Sequence, residues 1–166
     1  MTLVLAWLRR EAEESLLYLP EVNLLSEGAL IAEADFAALV DGRLAIGEAK
    51  STRSITKKEI QRLAVAARRA NASRLIFATI LDDPACGTSR CDGCVEDGGP
   101  HPDHAWTEGT RRHIREARMS LEPRGIAVVS LRGRELVADP AATLGELAPS
   151  AQAFAAAPKV RGRRLG

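Results

Sequence analysis

Apolar and polar positions along this chain fall into blocks with two different periods. From Thr2 to about Glu14, Leu3, Leu5, Trp7 and Leu8 gather near one side, which predicts a helix. Leu16 to Leu25 is mostly apolar without a helical period and reads as a strand. Pro20 has no N–H to give a ladder, so the strand belongs at a sheet edge or carries a bulge. Ser26-Glu27-Gly28 marks a turn. Two more strand-like runs follow, ALIAEADFAALV and RLAIGEAKS, separated by Asp41-Gly42, a dipeptide suited to a two-residue hairpin turn. Thr56 and Glu59 form a capping box that opens a helix to about Ala72, with Ile60, Leu63, Ala64 and Ala67 on one face. A buried strand at 74–80, a helix from Trp106 to about Glu122 stopped by Pro123-Arg124-Gly125, and a strand at 126–131 complete the pattern. The order is αβββαβ–loop–αβ, an α/β fold with a mixed sheet flanked by helices.

Composition narrows the function classes. With 166 residues, 46% hydrophobic and 27% charged, the chain suits one globular domain. The expected domain is 1–138, including a polar loop at 82–105, followed by an Ala/Pro-rich, basic tail at 139–166 with a short helix near 141–147. Lys and Arg total 23 against 22 Asp and Glu, which excludes a protein held to nucleic acid by bulk charge and leaves a local basic groove open. No apolar run approaches the roughly 18 residues that cross a bilayer, so no membrane partner is expected. Arg9 and Arg10 follow the apolar start instead of preceding it, unlike a secretory signal, so the expected compartment is the cytoplasm.

The hairpin allows a register to be worked out. If Asp41-Gly42 is a type I′ turn, Val40 pairs with Arg43 and every opposed pair sums to 83. Asp35 then faces Glu48, Glu33 faces Lys50, and all four project from the face that also carries Leu39, Leu44 and Ile46. Phe36, Val40 and several alanines fall on the other face. Opposed Cβ atoms lie about 4.5–5.5 Å apart and like charges there destabilise a sheet, so Asp35 and Glu48 call for a neutralising cation. Magnesium accepts one or two carboxylates and keeps waters. Lys50, on the same face through the spacing Glu48-Ala49-Lys50, then stands beside a scissile phosphate or a developing negative charge. A solvated edge carboxylate and an ordinary Glu33–Lys50 ion pair are the bland alternative.

Residues 33–51, EADFAALVDGRLAIGEAKS, resemble the core motif of the PD-(D/E)XK nuclease superfamily, with Asp35 matching the first acid and Glu48 and Lys50 the (D/E)XK element. The resemblance implies a restriction-endonuclease-like αβββαβ core, here with a Cys/His-rich loop inserted. It also implies phosphodiester hydrolysis in nucleic acid, with DNA favoured, magnesium or manganese on Asp35 and Glu48, and pairing with a second copy or a partner protein. An acid from the first helix often joins such sites, and Glu11, Glu13 and Glu14 are the candidates. No proline precedes Asp35, and Gln61 is followed four residues later by Val65 where some branches carry tyrosine.

Two further constellations bear on chemistry. Lys57, Lys58, Arg62 and Arg69 make the capped helix basic and are candidates to bind nucleic acid, with Lys58, Arg62 and Arg69 near one face in a row that could track a phosphate backbone, and Gln61 is a candidate to reach the site or bond water. The loop CGTSRCDGCVEDGGPHPDH carries Cys86, Cys91 and Cys94 with His101 and His104 behind them, a donor set for structural zinc in which either histidine is the fourth ligand. An iron–sulfur cluster or unligated thiols are the alternatives. His113 reads as a surface residue. The competing function is a non-catalytic, zinc-bearing module that binds nucleic acid or protein.

Overall fold

Five strands form one sheet in the spatial order β1 (Leu16–Ser26), β2 (Ala29–Val40), β3 (Arg43–Lys50), β4 (Arg74–Thr79) and β5 (Ala127–Leu131). The computed structural model describes residues 2–82, 94 and 101–137. The pairs β1–β2 and β2–β3 are antiparallel, while β3–β4 and β4–β5 are parallel, so the sheet is mixed. The helices are α1 (Thr2–Glu11), α2 (Lys57–Arg69), α3 (Glu108–Leu121) and the one-turn α4 (Gly133–Leu136). The chain divides into Met1–Leu136 and Val137–Gly166, and the second unit beyond Val137, including the helix expected near 141–147, lies outside the described residues.

Helices cover both faces of the sheet. On one face, Val4, Leu5 and Leu8 of α1 pack with Phe36, Ala45, Ile76 and Leu136. On the other, Ile60 and Leu63 of α2 and Ile114 and Leu121 of α3 pack with Ile46, Leu75 and Phe77. Successive residues of β4 alternate between these layers, the period-2 pattern that makes a doubly buried strand read as a continuous apolar run. Among the described residues no helix is long and apolar enough to cross a membrane.

Local signals explain the element boundaries. Asp41 (φ 49°) and Gly42 (φ 75°) both adopt positive φ, as a type I′ turn requires, and β2 and β3 leave it in register. The Asp41 carboxylate also accepts the backbone N–H groups of Glu13, Glu14 and Ser15 at 2.8–3.0 Å, fastening the exit of α1 to the turn. Those hydrogen bonds hold its carboxyl below the usual carboxylate range. They also put Glu13 and Glu14 at the turn end of the hairpin, away from the acid pair. Thr56 caps α2, accepting from Glu59 N while Glu59 accepts from Thr56 N, the capping box read from the sequence. Pro20 lies in β1, an edge strand as expected.

Candidate active site

The register read from the sequence holds from Val40–Arg43 to Phe36–Gly47 and stops there. Asp35 does not face Glu48 across a ladder, and Glu33 does not face Lys50. Direct opposition would bring two carboxylates together in the sheet. Instead the strands part, and Asp35 Oδ2 accepts the N–H of Ala49 at 2.7 Å, a donor left over where the ladder ends. On the other side of β2, Glu21 of β1 adopts φ 49° and is itself unpaired, while the pairs Pro20–Phe36 and Val22–Ala34 around it keep one register. Side-chain alternation changes with the local twist. Ala32 and Ala34 belong to the layer beneath α2, whereas Phe36, Ala38 and Val40 belong to the layer beneath α1, so the expected clean division of β2 into two faces holds only nearer the turn.

The parting strands and the first turns of α2 enclose an open cleft of about 510 Å³. Asp35, Glu48, Lys50 and Glu33 all line it, with Glu21, Asn23, Glu59 and Arg62. The four hairpin residues therefore do converge, through a splayed arrangement and not a paired one. The Lys50 ammonium contacts Glu48 Oε1 and lies 3.3 Å from Glu59 Oε1, so it bridges these two acids and the ordinary Glu33–Lys50 ion pair of the bland alternative is not formed. Glu33 is exposed at the cleft wall.

Burial and charge set the protonation tendencies. Glu48 is only 6% exposed, and burial, helped by the nearby Asp35 charge, raises its carboxyl pKa although Lys50 pulls the other way. For Lys50, burial disfavours the ammonium, but the Glu48 and Glu59 carboxylates outweigh it and hold its pKa above the ordinary lysine value. Glu59 is held low, first by the Thr56 hydroxyl, which donates to Oε2 at 2.6 Å.

Five carboxylates line the cleft against the two cationic side chains Lys50 and Arg62, an excess that attracts a cation. Asp35 and Glu48 are hard oxygen donors beside open space for water, which fits magnesium. Among the described residues no three His, Cys, Asp or Glu side chains are gathered to hold a metal as they stand. Gly47 fixes the neighbourhood: a Cβ there would lie 2.5 Å from Ile76 O and collide with the Phe36 ring, so only glycine lets β3 lie this close to both.

The remaining candidates separate. Arg62 lines the cleft, and Lys57, Lys58 and Arg69 are exposed on α2. Gln61, expected to reach the site, instead lines a different cleft with His113 and Glu116, because one step around the helix turns it toward α3. Cys94 Sγ lies 3.2 Å from His104 Nδ1 and both residues are buried. His101 is partly exposed and its Nδ1 accepts Asp103 N at 3.2 Å, capping the turn Pro102–Ala105, so His104 is the histidine that meets Cys94. Cys86 and Cys91 lie outside the described residues.

Glu59 is the site residue that the sequence did not flag. It registered only as a helix cap, yet a cap carboxylate shortly beyond the last motif-like position on β3 was the available signal that α2 begins at the site. Compared with known proteins, the chain matches no family model, no curated protein and no solved structure.

Proposed function

We propose that this chain is a divalent-metal-dependent nuclease on a restriction-endonuclease-like fold, hydrolysing phosphodiester bonds of nucleic acid, with DNA as the favoured substrate. The observation that carries this reading is the convergence of Asp35, buried Glu48 and Lys50 in one acidic cleft where β2 and β3 part. Magnesium or manganese held by Asp35 and Glu48 would supply Lewis acidity and a water of lowered pKa. Asp35 is oriented for this by the N–H of Ala49. Lys50 brings a cation that can neutralise a non-bridging phosphate oxygen as negative charge develops. Arg62 at the cleft and Lys58 one turn earlier offer contacts to the backbone of an incoming strand. The element order and the sheet order support the fold assignment.

The test is incubation with single-stranded, duplex and branched oligonucleotides in magnesium or manganese. Asp35→Asn, Glu48→Gln and Lys50→Ala are each expected to lower cleavage by about a hundredfold or more, with magnesium binding by calorimetry lost in the first two. Full activity in Glu48→Gln would refute these roles.

We also propose a second ion, structural zinc, to which buried Cys94 and His104, in contact with each other, would supply two of the four ligands. Metal analysis of purified protein is expected to return about one zinc per chain, falling in Cys94→Ser and His104→Asn. Iron, or no metal, would overturn this assignment.

A further inference from the structure

Lys50 sits between two acids that do different things. Its ammonium contacts Oε1 of Glu48, the residue assigned to the cation, and lies 3.3 Å from Oε1 of Glu59. A divalent ion on the Glu48 carboxylate competes with the Lys50 ammonium for its charge, because the two positive charges repel at that range. Loading the site therefore loosens the hold of Glu48 on Lys50. A lysine side chain is a flexible four-carbon stem, and without a second anchor the released ammonium would spread over many rotamers, most of them in water.

Glu59 is built to be that anchor. Its two oxygens are divided: Oε2 accepts both Thr56 N at 2.8 Å and Thr56 Oγ1 at 2.6 Å, while Oε1 is turned toward Lys50. The capping box thereby fixes the carboxylate at the cleft wall without using the oxygen that meets the ammonium. The loop that delivers Thr56 is itself fastened. Arg53 Nε donates to Ala105 O at 2.7 Å, Thr107 N donates to Arg53 O at 2.8 Å, and Ile55 N donates to Thr110 Oγ1 at 3.1 Å. The start of α2 is thus tied to the segment leading into α3, and Glu59 stands on a fixed base.

We propose that Glu59 is a positioning residue: when a divalent cation takes Glu48, Glu59 retains the Lys50 ammonium inside the cleft, facing the phosphate. This inference rests on the nuclease reading. Glu59 is assigned no contact with substrate or metal, and its effect runs through Lys50.

The test compares Glu59→Gln, Glu59→Asp and Thr56→Ala in the full chain, using magnesium calorimetry, thermal unfolding and steady-state cleavage of an oligonucleotide. Gln can still accept from Thr56 and keep the cap but has no charge for Lys50, whereas Thr56→Ala removes only the hydroxyl half of the cap, leaving the backbone N–H of residue 56 on Oε2 and the Lys50–Glu59 pair in place. Glu59→Gln is expected to lower kcat about tenfold or more, with KM, magnesium affinity and thermal midpoint close to wild type. Glu59→Asp should recover part of that loss, and Thr56→Ala should lower the midpoint with kcat within about twofold of wild type. Methylene NMR signals of Lys50 should stay ordered when magnesium is added to wild type and sharpen to those of a free side chain in Glu59→Gln. Wild-type kcat in Glu59→Gln, or equal kcat losses in Glu59→Gln and Thr56→Ala, would overturn the positioning role alone. A wild-type protein that neither binds magnesium nor cleaves would overturn the nuclease reading and this inference with it.

Discussion

Removing Lys50 should cost far more stability than removing the charge of its partner Glu48, and the difference should depend on pH. The Glu48 side chain is 8% exposed, and that of Lys50 29%. Lys50→Met keeps the aliphatic stem but leaves a buried carboxylate beside Asp35 without its ammonium. Breaking a buried pair in this way costs about 3–5 kcal/mol. A ceiling comes from protonation: folding with Glu48 neutral at pH 7 costs about 1.36 kcal/mol for each pH unit above its reference value near 4.3, or roughly 3.7 kcal/mol. A loss of about 3 kcal/mol at pH 7 is expected, a drop of roughly 6–12 °C in Tm for a domain of this size. In Glu48→Gln, Lys50 keeps Glu59 at 3.3 Å and partial access to water, so the cost should be only about 1 kcal/mol. The sign with pH follows from the raised Glu48 carboxyl. A group whose pKa is raised on folding favours the fold below its unfolded value, and that contribution is lost as pH rises through the folded value. Without Lys50 the carboxyl rises further, so the Lys50→Met deficit should shrink as pH falls toward the unfolded carboxyl value near 4.3 and grow as pH rises above it. Urea unfolding of both variants in magnesium-free buffer at about pH 4.5, 5.5 and 7 measures this directly. A Lys50→Met protein no weaker than Glu48→Gln at neutral pH, or one whose deficit ignores pH, would refute the burial argument.

Gly47→Ala should destabilise by about 1–3 kcal/mol in chemical denaturation, because the new methyl meets Ile76 O and the Phe36 ring, and it should also weaken magnesium binding by displacing the adjacent Glu48. Asp41→Ala should loosen the exit of α1, seen as faster amide exchange at Glu13, Glu14 and Ser15. Since the Asp41 carboxyl is held low, its contribution is present above the unfolded pKa near 3.9 and disappears as pH falls through the folded value, so the variant and wild type should converge in strong acid. Lys58→Ala and Arg62→Ala should each reduce the salt dependence of nucleic-acid binding by about one unit of slope, while a Gln61→Ala change, facing the other cleft, leaves it unaltered.

The fold was legible where local chemistry is decisive. Asp41-Gly42 dictates a turn with positive φ, Thr56 and Glu59 dictate a helix start, and Pro20 excludes a central strand, and each rule acts within a few residues. Interruption of the β2–β3 ladder after Phe36–Gly47 was not legible, because it involves Asp35 taking the Ala49 N–H and α2 packing on both strands, contacts that local spacing does not encode. The capping role of Glu59 was legible and its contact with Lys50 was not: spacing identifies its partner Thr56 three residues away but not Lys50, which meets it only after the chain has turned from β3 into α2. Gln61 and Arg62 differ by one step around a helix, and only packing against α3 determines which of them faces the acids.

The bland account of these acids, a solvated carboxylate at a sheet edge, fails at Glu48. β3 is the third of five strands, and Glu48 is buried there beside the Asp35 charge. A fold selected only for stability has a better choice, since well-packed apolar side chains commonly equal or exceed a buried ion pair. The double variant Glu48→Leu/Lys50→Met should therefore melt at or above the wild-type midpoint in magnesium-free buffer, although Lys50→Met alone is expected to be the weakest of the set. Magnesium should raise the midpoint of wild type and leave the double variant unmoved, since stabilisation by a ligand needs a folded state that binds it. Thermal unfolding of wild type, both single variants and the double variant, with and without magnesium, gives the comparison. A double variant as unstable as Lys50→Met would mean that the acid–ammonium pair holds the parted strands together, and its burial would then need no cation to explain it.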